Sequence, residues 1–190
     1  MAFWTNYNTD PKRSFRYKFL LGSDADNLII REYTIKDVKK PSFQMEAGPQ
    51  AKYIQHTFKY PGRVQWQDVT FSIVDPGSRD EDAAVALMNI LSRSGYAKPA
   101  TISQSETSIS KKKANGAIGQ PVIKEIDHFG VTTTEWKLHN AYITNVDFGQ
   151  LSYDTDEMVT YSVTLSYDYA TIKNLIPGGI QVEEGIRSDS

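Results

Sequence analysis

Three histidines, His56, His128 and His139, are the first residues to weigh for metal or acid–base work. Each stands singly in a strand-like stretch, without the HExxH or paired spacing that brings imidazoles onto one zinc ion. Ser108 and Lys111 form an SxxK, the spacing of a serine nucleophile with its lysine, but the pair lies in a short lysine-rich run with no companion motif. Asp154, Asp156 and Glu157 gather oxygen ligands of the kind calcium takes, yet they lack the Gly and distal Glu of an EF-hand loop, so a solvated turn is the reading. GxSxG, GxGxxG and phosphate-loop patterns are all missing. With no cysteine in the chain, a disulfide framework and a thiolate metal site are excluded. The expectation is a protein that is not an enzyme, with no catalytic residue, no cofactor and no metal.

The remaining chemistry is that of surfaces. A formal charge of −2 argues against a dedicated nucleic-acid binder, which carries a basic excess, while permitting transient contact with DNA. No run of about 18 apolar residues suggests a membrane span, and MAFWTNYNTDPKRS lacks the apolar middle of a signal peptide, so a soluble protein is expected. At 190 residues the chain suits one domain.

The organising stretch is Trp136 to Tyr169, which reads as two long strands joined through a turn at Tyr153 to Glu157. Its second arm alternates: Val159, Tyr161, Val163, Leu165, Tyr167 and Tyr169 share one face, and Thr160, Ser162, Thr164, Ser166 and Asp168 the other. Val64 to Val74 repeats the pattern, with Val69, Phe71 and Ile73 opposite Asp68, Thr70 and Ser72. Two strands therefore each offer an apolar face for a core and a small, hydroxylated face for water.

Around them, Phe15 to Leu21 and Leu28 to Val38 read as a hairpin turning at Asp24 to Asn27. Lys39 to Lys52, with Pro41, Gly48 and Pro49, reads as a loop around a protruding excursion. Lys52 to Lys59 alternates, and Tyr60-Pro61-Gly62-Arg63 reads as a turn. One helix is expected over 80–93, capped by Ser78 with Glu81, burying Ala84, Leu87, Met88 and Leu91, and ended by Gly95. The 96–120 segment shows no buried face and carries Lys111, Lys112 and Lys113; a long loop of this kind is ordered by a partner or solvated. Val122 to Phe129 and Val131 to Leu138 form a further hairpin through Gly130. The domain is expected over 15–170, between an N-terminal arm, 1–14, bearing Phe3, Trp4 and Tyr7, and a C-terminal arm, 171–190, broken by Pro177-Gly178-Gly179.

LHNAYITNVDFGQLSYDTDEMVTYSVTLSYDYA, with YPGRVQWQDVTFSIVDP before the helix, resembles the tail tube proteins of contractile-tailed, T4-like bacteriophages. The likeness spans roughly Phe15 to Ala170 and rests on Asn140-Ala141, Val146-Asp147-Phe148-Gly149 and Tyr167-Asp168-Tyr169. It implies a mainly β fold, a β-sandwich or partial barrel with one flanking helix, whose strands close into an inter-subunit β-barrel in a ring. It further implies a structural virion protein whose hexameric rings stack into the channel for DNA ejection. Sheath, baseplate and tape-measure proteins are then partners, DNA passes without specific binding, and the location is the virion tail after assembly in the host cytoplasm. On this reading Asp68, Thr70, Ser72, Thr160, Ser162, Thr164, Ser166 and Asp168 line the channel. Phe3, Trp4, Tyr7, Lys111, Lys112 and Lys113 make contacts between rings.

Rival readings within the fold are the ring protein of type VI secretion or another contractile injection device, and a tube-like baseplate or terminator protein. From another class, a β-rich hydrolase needs titratable residues converging on a pocket, and the sequence nominates none. A sugar-binding module needs an aromatic platform, and Trp4, Trp66 and Trp136 are too scattered to define one.

Overall fold

The computed structural model describes residues 11–22, 28–30, 34–77, 82–97, 108–154 and 156–175. The expected cap Ser78 with Glu81, the aromatics Phe3, Trp4 and Tyr7, and the tail beyond Leu175 lie outside them. Eleven strands and two helices follow in chain order: β1 Tyr17–Gly22, β2 Leu28–Ile30, β3 Ile35–Val38, β4 Ser42–Tyr53, β5 His56–Gln67, β6 Val69–Val74, α1 Ala83–Arg93, α2 Lys111–Ile118, β7 Val122–Ile126, β8 Thr132–His139, β9 Tyr142–Asp147, β10 Thr160–Ser166 and β11 Tyr169–Asn174. The fold is mainly β, as expected, and all strand pairs are antiparallel. One sheet runs β11-β8-β7-β1-β2, a second β3-β6-β10-β9, and β4 pairs with β5. Among the described residues neither larger sheet closes on itself.

The two larger sheets pack into a sandwich. Phe19 from the five-stranded sheet meets Phe71 from the four-stranded one edge to face at 4.9 Å. Leu21, Ile123 and Leu138 on one side and Val69, Ile73, Val163 and Leu165 on the other complete a dry interior. For β6 and β10 these are the apolar faces the period-two pattern assigned to the core.

Two strands cross from one sheet to the other at a shared corner. The stretch read as one strand from Trp136 is broken at Asn140, whose φ of +56° is left-handed, into β8 in the first sheet and β9 in the second. The stretch read as one strand to Tyr169 is likewise broken at Tyr167-Asp168 into β10 and β11. Because β8 pairs with β11 and β9 with β10, the ribbon bends as a unit, the usual way strands turn a sandwich corner. Thr171 to Asn174, placed in the C-terminal arm on sequence, complete β11.

Five further expectations are corrected. Leu28 to Val38 is not one return strand, since β2 pairs with β1 and β3 lies in the other sheet. Lys39 to Lys52 is not a loop: it is mostly β4, and Tyr60 to Arg63 lie inside β5 rather than at a turn. The reversal falls at Ile54 and Gln55, with Ile54 at φ +51°. Helix α1 is capped by Asp82, whose Oδ1 accepts from the Val85 N–H at 3.0 Å. It buries Ala83, Leu87 and Ile90, so the stripe is rotated from the expected one and leaves Met88 and Leu91 exposed. Finally, 96–120 contains a second helix with a buried face, Ala114, Ala117 and Ile118, between the Ser110 cap and Gly119 at φ +75°.

Candidate functional site

The outer face of the four-stranded sheet gathers the hydroxyls singled out from sequence. Pairing of β6 with β10 sets Thr70 opposite Thr164 and Ser72 opposite Ser162, with Thr160 opposite Val74. The outer strands extend these pairs into rows. Asp37, Ser72, Ser162 and Asp147 form one row across all four strands, and Thr70, Thr164 and Asn145 a second. Ser72 Oγ donates to Asp37 Oδ1 at 3.0 Å, so one carboxylate of the first row is tied to its neighbour. Asp37, Asn145 and Asp147 carry the face to both edges, and sequence reasoning missed them. Their strands are too short and too mixed in pattern to announce a face.

The other expected lining residues sit at its margins. Asp68 is exposed at the break between β5 and β6, and Ser166 ends β10. Asp168 lies beyond β10 at the corner, where its Oδ2 accepts from Asn140 Nδ2 at 2.7 Å and its Oδ1 from Lys111 Nζ at 2.6 Å. These donors, the Lys111 ammonium first, hold the Asp168 carboxyl below its usual range. Lys111 therefore clamps the start of α2 to the corner, while Lys112 and Lys113 are exposed beside it.

The histidines are separated. His56 opens β5, His128 lies tilted against Phe129 at 3.9 Å, and His139 lies flat on Tyr169 at 4.3 Å while its Nε2 pairs with Thr171 at 2.9 Å. Among the described residues no group of three His, Asp or Glu is placed to hold a metal ion.

Two hydrogen-bonded tyrosines fix the sheet ends. Tyr161 Oη donates to Asp75 at 2.7 Å; this bond, with burial, pushes the phenol up to about 12, and the same bond lowers the Asp75 carboxyl against the opposing pull of burial. Tyr167 is pushed up to about 12 chiefly by burial, and its Oη donates to the Gln67 carbonyl at 2.9 Å, pinning the base of the β4–β5 ribbon. That ribbon leaves Phe43, Met45, Tyr53, Phe58, Tyr60 and Val64 exposed. Its arms touch closely at mid-length, where a Cβ on Gly48 would lie 2.3 Å from the Tyr60 carbonyl oxygen.

A basic groove of about 910 Å³ opens beside β3, between it and β1. Among the described residues, Lys12, Arg13, Arg16, Lys18, Lys36 and Lys40 line it with the carboxylates of Asp37 and Glu125. Burial raises the Glu125 carboxyl, but Lys12, at 2.5 Å, and Lys40 outweigh it and leave the group below its usual range. At the opposite edge of the sheet, the segment after β9 is exposed and acidic. From Leu138 to Ile172 the chain has no Lys or Arg and carries Asp147, Asp154, Asp156, Glu157 and Asp168.

No protein-family model matches the chain, and no curated protein sequence matches it. Solved structures do. The chain is similar to the anti-feeding prophage cap, a tube-terminating cap, at 16% identity and TM-score 0.61, over 87% of this chain and 93% of that one. It is similar to a protein of the PVC extracellular contractile injection system sheath-tube complex at 14% identity and TM-score 0.58, over 87% and 93%. It is similar to a protein of the PVC sheath/tube terminator at 14% identity and TM-score 0.57, over 87% and 98%. The fold of this chain is thus one found in tube and terminator assemblies of contractile injection systems.

Proposed function

We propose that this chain is the subunit of a tail tube, built as hexameric rings stacked into a channel, in a contractile-tailed phage of the T4-like kind. One observation carries the reading: the four-stranded sheet has a buried apolar face, a small hydroxylated face and two edges, β3 and β9, to which no further strand pairs among the described residues. Open edges invite pairing, and joining them between protomers removes them while turning the hydroxyls to one side of a closed wall. Hydroxyls and carboxylates suit a DNA conduit, because each phosphate neutralised by a cation adds salt-dependent grip. Similarity to tube and terminator folds supports the same assignment.

A two-stranded ribbon is marginal by itself, and the exposed aromatics of β4–β5 give it a reason to lie on another ring. We assign it, with the arm at 1–14, the tail beyond Asn174 and the lysines of α2, to contacts between rings. Sheath, baseplate and tape-measure proteins are the partners this role brings.

A terminator is the second reading, favoured by the similarity to two terminating assemblies. Negative-stain electron microscopy of the purified protein separates them. Long tubes of uniform bore are expected for a tube subunit, single or paired rings for a terminator, and monomers alone would overturn both. Sheath and portal genes nearby would favour a phage, secretion genes a type VI or related device.

A further inference from the structure

We infer that Glu125 is a positioning residue that ties the N-terminal arm and the root of the β4–β5 ribbon to one point, so that both are held in one arrangement before a neighbouring ring meets them. This rests on the assignment of arm and ribbon to ring contacts above.

The carboxylate stands where an apolar side chain would be expected. Glu125 lies two residues from the buried Ile123 on the same side of β7, and its cross-strand row runs through Tyr17, Glu125, Thr134 and Asn174. Its side chain is 11% exposed. Each oxygen has its own cation: Oε2 meets Lys12 Nζ at 2.5 Å, and Oε1 meets Lys40 Nζ. Lys12 Nζ also donates to Thr134 Oγ1 at 2.6 Å, on the next strand.

The two lysines come from different parts of the chain. Ahead of β1 the Arg16 N–H donates to the Arg13 carbonyl at 3.2 Å, and this turn brings Lys12 back over β7 and β8. Lys40 stands between β3 and β4, two residues before the ribbon starts, and so reaches Glu125 from the side of the other sheet. One carboxylate therefore joins the end of the arm, the root of the ribbon and the five-stranded sheet. Tyr17, in the same row, adds an uncharged tie to β3, its Oη donating to the Lys36 carbonyl at 2.8 Å. Stability alone does not call for the triad, since apolar groups of similar volume serve at least as well as a buried ion pair. What the carboxylate adds is a demand for partners that reach its oxygens.

The chain has no cysteine, so Pro11→Cys with Gln44→Cys places spin labels on arm and ribbon alone. Pulsed electron paramagnetic resonance on monomeric protein reads the distance between them. Adding Glu125→Gln should widen that distance distribution roughly twofold or more, as a segment held by few contacts does on release. Labels at Gln44→Cys with Ser162→Cys should keep their distribution, because the ribbon stays joined to its own sheet. Separately, Lys12→Met, Glu125→Leu and Lys40→Met together replace the triad with apolar groups. That variant should melt within about 5 °C of the wild type. It should nevertheless need roughly tenfold more protein to form tubes, because the arrangement is no longer set in advance.

An unchanged distribution between Pro11→Cys and Gln44→Cys in the Glu125→Gln protein would overturn the inference. So would a triple variant that forms tubes at the wild-type concentration. A triple variant melting far below the wild type would make the triad a stabilising device and overturn it as well. A wild-type chain that forms no rings would refute the ring reading alone, since the distance measurement still decides whether Glu125 places the arm.

Discussion

Asn140 donates from Nδ2 to Asp168 Oδ2 over 2.7 Å, so the two residues at which the chain changes sheets, 28 positions apart, hold each other. Asn140 sits at φ +56°, a conformation Asn tolerates and β-branched residues avoid. Asn140→Val should cost about 1–2 kcal/mol from the backbone alone. Asn140→Gly, which keeps the conformation and loses only the side-chain bond, should cost less. Urea denaturation of the two variants compares them directly, and equal losses would remove the backbone argument.

The Asp168 ion pair should show itself in acid. Its folded pKa is lowered, so its contribution is present above the unfolded value near about 3.9 and is lost as pH falls through the lower folded value. Its side chain is 41% exposed, so screening keeps the contribution small, no more than about 1 kcal/mol. Asp168→Asn should therefore lower stability slightly at pH 7, and the gap from wild type should close at low pH.

Helix α1 gives a sharper test of packing. Leu87 is 3% exposed, and Leu87→Ala should cost about 2–5 kcal/mol. Met88 is 43% exposed, and Met88→Ala should cost under about 1 kcal/mol in the isolated protomer. Chemical denaturation under conditions where the protein is monomeric measures both.

Alkaline titration reports on the two buried phenols. Both stay neutral to about pH 12, and their contribution, present below the unfolded value of about 10, is lost as pH rises through the folded one. Tyr161→Phe and Tyr167→Phe should each remove tyrosinate absorbance from the portion of the titration near pH 12. Tyr161→Phe should also raise the Asp75 carboxyl, whose first cause of lowering is that hydroxyl.

On the channel lining proposed above, Thr160→Lys with Thr164→Lys adds two cations beside Ser162 on the hydroxylated face. Tubes should still assemble and should retain DNA in a way that high salt reverses. Ready labelling of those lysines in intact tubes, by a reagent too large for the bore, would put the face on the outside.

Much of this was legible because alternation is a strong signal. Val163 and Leu165 against Ser162 and Thr164, and Phe71 and Ile73 against Thr70 and Ser72, named both the core and the hydroxylated face. The corner was hidden by the same signal, since alternation runs unbroken through Tyr167 and Tyr169 while the strand changes sheets between them. Helix α2 was missed because KKKANGAI is short and weakly apolar, although Ser110 and Gly119 frame it. The ribbon was missed because almost no residue in it is buried, so its chemistry resembled that of a loop. Asp37 and Asp147 belong to the polar face through register, and register between distant strands is not written in local spacing.

The ribbon is also continuous with the sheet it leaves. The Lys39 N–H donates to the Thr70 carbonyl at 2.8 Å and Ser42 faces Gln67, so β3–β6 and β4–β5 are successive lengths of one hairpin. Whatever grips its tip pulls β6 lengthwise along β10, where six register pairs, from Val69–Leu165 to Val74–Thr160, take the load together. Bonds loaded in parallel yield at far higher force than bonds peeled one by one. In the stacked-ring arrangement proposed above, the force path would lead from the ribbon tip directly into the hydroxylated face of the sheet.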